Sequence, residues 1–144
     1  MSDIVEFLRA RLDEDEAVAR AASPQDDPVW WVDFTGVDDR PNIQTRVDDL
    51  FGPWRTVAYG VAETDAYHIA RHDPARVLRE VEAKRAILAQ EEEARAHYDH
   101  IKSSATYPGV EISMGHVVAL ATVIRHLASA YADHPDFQQE WAIS

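Results

Sequence analysis

Cysteine is missing from the chain altogether. Disulfides, thiolate zinc ligands and a cysteine nucleophile are therefore excluded together, and a reducing compartment is the expected setting. Glycine is scarce too, five among 144 residues. No Gly-rich loop is available to cradle a phosphate, and no serine sits in a nucleophile-elbow pattern. Positive charge is the third deficit. Fourteen Lys and Arg stand against 26 Asp and Glu, a formal net charge of -12, so the cationic footprint that displaces counterions from a phosphate backbone is lacking and nucleic acid is not expected as a partner. The N-terminal "MSDIVEFLRARLDEDE" carries acids where a secretory signal needs cations and then an unbroken apolar run. No later apolar run is read as approaching the ~20 residues that span a bilayer, and the expectation is a cytoplasmic protein without a membrane partner.

What the chain does have is helical periodicity. A length of 144 residues suits one domain, and residues 1–144 are expected to form a single helical domain with a small β insertion. From Asp3 to about Ala22, Ile4, Val5, Leu8, Leu12, Ala19 and Ala22 recur at three- and four-residue steps, which predicts a first helix capped by Ser2 or Asp3. Asp15 breaks its apolar stripe. "ASPQDDP" at 22–28 reads as loop, and the aromatic and β-branched clusters after it predict a small antiparallel pair at about 29–35 and 55–61. "IQTRVDDLF" between them is open to either a short helix or extended chain. Trp30, Trp31 and Trp54 are expected to supply much of the apolar area there.

Residues 63–72 predict a short helix, and Asp73-Pro74 then punctuates the chain. The residue before a proline avoids the α region, whereas proline suits the first helical position, so Asp73 should cap a long helix from Pro74 to roughly Asp99. A loop at 102–113, a helix over about 113–132 and a short helix carrying Phe137 and Trp141 complete the chain. The fold class expected is mainly α, with three long helices plus short ones packed with the small antiparallel β element.

Three segments, "FLRARLDEDEAVAR" at 7–20, "HIARHDPARVLREVEAKRAIL" at 68–88 and "YADHPDFQQEW" at 131–141, together resemble the DUF6221 family of small actinobacterial and actinophage proteins of unknown function. The resemblance implies a probable source and no activity. It also implies that many relatives carry cysteines just before the last long helix. The corresponding stretch here, "YPGVEISMGHVVALATVIRHLASAYADHP", has none, so a zinc site built on such cysteines has no counterpart.

Candidate chemistry centres on His68, His72, Asp73, His134 and Asp15. Two imidazoles four residues apart share a helix face and suit one divalent metal such as zinc, which carboxylates from other helices could complete. Against this, the Asp-Pro boundary commits Asp73 to capping and leaves His72 at a helix end, and no Glu follows the first histidine as in zinc proteases. An ion pair of Asp15 with Arg71, Arg76 or Arg85 is the preferred structural reading, Arg85 above the others because it and Asp15 each place one charge in an apolar stripe. His97 and His100 sit where protonated imidazoles would meet the carbonyls ending the long helix; His126 is expected to face solvent and His116 the core. The acid runs at 13–16 and 91–93 read as solvated faces. No residue is assigned a catalytic role and no cofactor is expected. The function expected is a non-enzymatic interaction or regulatory protein, with a homodimer through an exposed part of the long helix. The rivals are a metalloprotein using His68 and His72, and an acidic mimic of nucleic acid.

Overall fold

The aspartate and proline at 73 and 74 divide two helices as their chemistry requires. Helix α2 (Glu63–Arg71) stops short of Pro74, and the backbone N–H of His72 folds back onto the carbonyls of His68 and Ile69. Pro74 then opens α3 (Pro74–Ile101), where its missing N–H has no helical partner to lose. Asp73 Oδ1 accepts a 2.8 Å hydrogen bond from the N–H of Arg76, the N-cap arrangement. In this computed structural model, residues 3–23, 26–36, 39–49, 52–103 and 109–143 are described. They form α1 (Asp3–Ala22), β1 (Asp26–Asp33), β2 (Asn42–Asp49), β3 (Gly52–Ala58), α2, α3, α4 (Gly109–Ser129) and a 3-10 turn at Gln139–Trp141. The chain is mainly helical with a small antiparallel sheet. Four α-helices are present among the described residues, the long α1, α3 and α4 and the nine-residue α2, which falls within the short helix expected at 63–72. Ser2, one of the two candidate caps of α1, lies outside the described residues.

Two compact units make up the chain, residues 14–81 and residues 1–13 with 82–144. The first holds the sheet, of order β1-β2-β3 and antiparallel throughout. The two strands expected from the sequence are therefore both present but do not pair with each other; each pairs with β2, the segment whose state the sequence left open. Its alternation explains why. Ile43 and Thr45 are fully buried while Gln44 and Arg46 point the other way, the period-two pattern of a strand with one covered face. The Thr45 hydroxyl reaches the carbonyl oxygens of Asp27 at 2.5 Å and Val29 at 3.1 Å, so its burial leaves no polar group unsatisfied. Residues 26–28, expected as loop, belong to β1.

That geometry corrects the reading of the tryptophans. Trp30 lies opposite Thr45 and is half-buried, but Trp31 lies opposite Gln44 and Trp54 opposite Arg46, on the uncovered side. Trp31 is 37 % exposed and Trp54 61 %. Beyond β3 the chain turns at Gly60, whose φ of 57° suits a residue without a Cβ and whose N–H donates to Asn42 Oδ1 at 3.0 Å.

The second unit is organised around Phe7 on α1. Its ring meets Tyr131, His134, Phe137 and Trp141 with centroids 5.1–6.4 Å apart, mostly edge to face. Phe137 and Trp141 fold back as their spacing suggested, although they do so through turns and the 3-10 segment rather than an α-helix. Val5, Leu8, Leu12, Leu88, Ile124 and Ala128 complete the apolar interior. Helix α4 begins at Gly109 and ends at Ser129, earlier at both ends than the expected 113–132. At the end of α3 the Lys102 ammonium donates to Asp99 at 2.7 Å, which lowers the Asp99 carboxyl below its ordinary value and raises Lys102. Both groups are exposed, so solvent and salt screen the pair.

Replacing Phe7 by alanine should destabilise the protein by about 3–5 kcal/mol, since it empties the centre of the aromatic cluster. A urea titration followed by tryptophan fluorescence reads the loss as a lowered midpoint. An unchanged midpoint would show that the cluster contributes little.

Candidate functional site

Around the Asp-Pro boundary the sequence-predicted residues do come together in part. His68 and His72 stack with ring centroids 4.3 Å apart. His72 Nδ1 lies 2.9 Å from the carbonyl oxygen of His68; a carbonyl only accepts, so Nδ1 carries the proton and the lone pair of neutral His72 is on Nε2. Asp73 is buried, and both carboxylate oxygens are engaged. Oδ1 caps α3 and Oδ2 accepts from the backbone N–H of Trp30 at 3.3 Å. Asp15 is half-buried, and with Val18, Ala19, Ala22, Trp30, His72, Pro74 and Val77 it lines a mainly apolar recess of about 270 Å³. Here the apolar stripe of α1 opens, which is how the carboxylate within it escapes full burial.

The other two residues of interest have defined positions in the second unit. The His134 ring accepts at Nδ1 from Arg11 Nη1 at 2.9 Å and from the N–H of Asp136 at 3.1 Å, and its edge meets Phe7. It therefore serves as a structural acceptor for a buried guanidinium, which also lies over the Phe7 ring. Arg85 Nη2 donates to Asp13 Oδ1 at 2.5 Å, with both side chains partly exposed. Among the described residues no group of three or more His, Asp or Glu side chains is arranged to hold a metal ion. His97, His100 and His126 are exposed. His116 is exposed as well, against the expectation of a core histidine, because the buried face of α4 runs instead through Val117, Ile124 and Ala128.

Two features went unrecognised in the sequence. Glu91, placed with the solvated acid run, is only 2 % exposed. It follows Leu88 by three residues and so falls on the buried face of α3, where Arg95 one turn later holds its carboxylate through Nε at 2.9 Å and through Nη2. With Ile4, Ala121, Ile124, Arg125, Glu140 and Trp141 these two line a cavity of about 400 Å³. The i, i+4 spacing of Glu91 and Arg95 was a usable signal.

The second feature is α4 itself. At 21 residues, with a mean hydropathy of 1.3 over its most apolar window, it is long and apolar enough to cross a membrane by length and composition. This corrects the reading that no such segment exists. Ser113, His116 and Thr122 break the apolar run to the eye, yet between Glu111 and Arg125 the helix has no charged residue. One face is covered, Ile124 being 2 % exposed; the other is not, with Ile112 72 % and Val118 55 % exposed and Met114 and Val123 beside them. An open apolar face of this kind marks interaction sites.

Fold and site together describe a small, mainly α protein with a three-stranded antiparallel sheet and one uncovered apolar helix. The chain belongs to a family of unknown function, DUF6221, whose model matches residues 1–143. No curated protein and no solved structure matches it.

Asp73→Ala removes the cap of α3 and the acceptor of a β1 N–H in one step, and should cost about 2 kcal/mol, the upper end for a helix cap. Asp73→Asn, which keeps one acceptor oxygen, should lose roughly half as much. Chemical denaturation of the pair measures it, and an Asp73→Asn variant as stable as the parent would show that the second oxygen is idle.

Proposed function

We propose that the protein is a non-enzymatic, cytoplasmic interaction module that docks a protein partner on the exposed face of α4. A single observation supports this above all: one face of the helix is committed to the protein's own interior through Ile124 and Ala128, while Ile112, Met114, Val118 and Val123 stand open to solvent on the rest. A helix held along one side by its own chain offers the other side to a partner surface of matching apolarity. The net charge of -12 supports solubility in the free state. It also supports the absence of a nucleic-acid partner. No catalytic role is assigned to any side chain in this reading.

A photo-crosslinking residue at Val118, introduced into the chain at its native level in cells, should give protein adducts on irradiation, and the same residue at exposed Glu93 on α3 should give far fewer. Adducts to lipid alone, or equal yields at the two positions, would overturn the reading.

A metal-binding reading has one observation in its favour, the stacked imidazoles of His68 and His72. His72 can offer Nε2 to an ion such as zinc beside the His68 ring, and a substrate, carboxylates or water would have to fill the remaining positions. A native mass spectrum of untagged protein should show the chain, as monomer or dimer, without added metal mass; one equivalent of metal per chain, lost in His72→Ala, would favour this reading instead.

A further inference from the structure

We infer that the uncovered face of α4 receives a second copy of the same chain, the two α4 helices lying antiparallel about a two-fold axis beside Val118 and Ala119. The inference rests on the docking reading above and names its partner. Its basis is the arrangement of charge around the apolar face. Along the outward side run Ile112, Gly115, Val118, Ala119, Thr122 and Val123, all exposed and none charged. Thr122 turns its hydroxyl back onto the Val118 carbonyl at 3.0 Å, so its polar atom is satisfied within its own helix and its methyl is left for the face. At Gly115 a Cβ would meet nothing within 4 Å, and Ala119 one turn later is also small, so a second backbone can come close there.

Glu111 and Arg125 close the two ends of this face. They lie two heptads apart, with Val118 midway, so all three fall on nearly the same line along the helix, and all three are exposed. At 1.5 Å per residue the acid and the base are about 21 Å apart. A two-fold axis at the midpoint, perpendicular to the helix, brings Glu111 of each copy beside Arg125 of the other. Two opposite-charge pairs then flank one apolar seam, and the helix dipoles also run in opposite directions. A parallel pair would set Glu111 against Glu111 and Arg125 against Arg125. An unrelated partner has no reason to match this symmetric spacing of charges, whereas an isologous contact requires self-complementarity of this kind. A single helix pair lies at the small end of specific interfaces, so the dimer should form in the micromolar range and depend on concentration.

Sedimentation velocity of the full chain across the micromolar range should show a reversible monomer–dimer equilibrium. Glu111→Arg alone and Arg125→Glu alone should each weaken it roughly tenfold, since both flanking pairs become repulsive. The double variant, and an equimolar mixture of the two single variants, should return to near the parent value. Because the chain has no cysteine, the register can be read directly. Oxidised Ala119→Cys should form a covalent dimer, and Ile112→Cys, whose copies would be about 18 Å apart across the axis, should not. Circular dichroism of each variant checks that it folds. Crosslinking at 112 and not at 119 would overturn the antiparallel arrangement. A chain that stays monomeric would overturn the inference while leaving the docking reading intact if Val118 adducts in cells contain a different protein. Monomeric protein that instead binds phosphatidylcholine vesicles would remove both.

Discussion

One carboxylate holds the sheet-bearing unit in register. Asp73 sits between α2 and α3 with one oxygen on the N–H of Arg76 and the other on the N–H of Trp30 in β1. The first bond starts a 28-residue helix, and the second fastens a strand more than forty positions away to that same start. A buried carboxylate is costly unless both oxygens are met. Here two backbone donors meet them, each of which would otherwise lack a partner: one at a helix terminus, one on an edge strand. Proline at 74 makes the break obligatory, and the aspartate makes it stable.

The other unit depends on a different kind of satisfaction. Arg11 is buried, and its charge is met by His134 and, at 3.7 Å, by Asp136, while its guanidinium covers the face of Phe7. The aromatic residues of the C-terminal segment then close on Phe7. Glu91 and Arg95 repeat the principle along α3, an acid drawn into the interior by a neighbour one turn away. Charged groups thus enter this interior in pairs or against rings, and α4 departs from the pattern by leaving a long uncharged face in the open. Ile112 and Val118 on that face are 72 % and 55 % exposed, while Ile124 on the opposite face is 2 % exposed.

The sequence foretold much of this and mistook some of it, each time for an identifiable reason. The helix boundary at 73–74 was legible because proline's restriction is local and absolute. The Phe137 and Trp141 pair was legible because four residues separate them and only one face could bury both. The middle strand was undecided because Asn42–Asp49 is short, with an alternation that competes with a helical reading until strands exist on both sides of it. Trp31 and Trp54 bring the expected apolar area to the β element, but alternation along the strands puts it on the exposed face. His116 and Glu91 were misread for the matching reason: a wheel gives relative angles, and the absolute direction of the core depends on the neighbours.

Local chemistry, then, was settled by the amino-acid sequence: helices with their stops, a junction capped by aspartate, a sheet rich in aromatic residues, an acidic and cysteine-free surface, and the resemblance that membership of the family bears out. Those follow from steric limits and periodicities that act within a few residues. Only the tertiary structure decided which strands pair, which acid is buried, where each histidine lies, and that α4 keeps a face uncovered. Burial is a relation between segments distant along the chain, and no single helix or strand carries the information about what will lie against it.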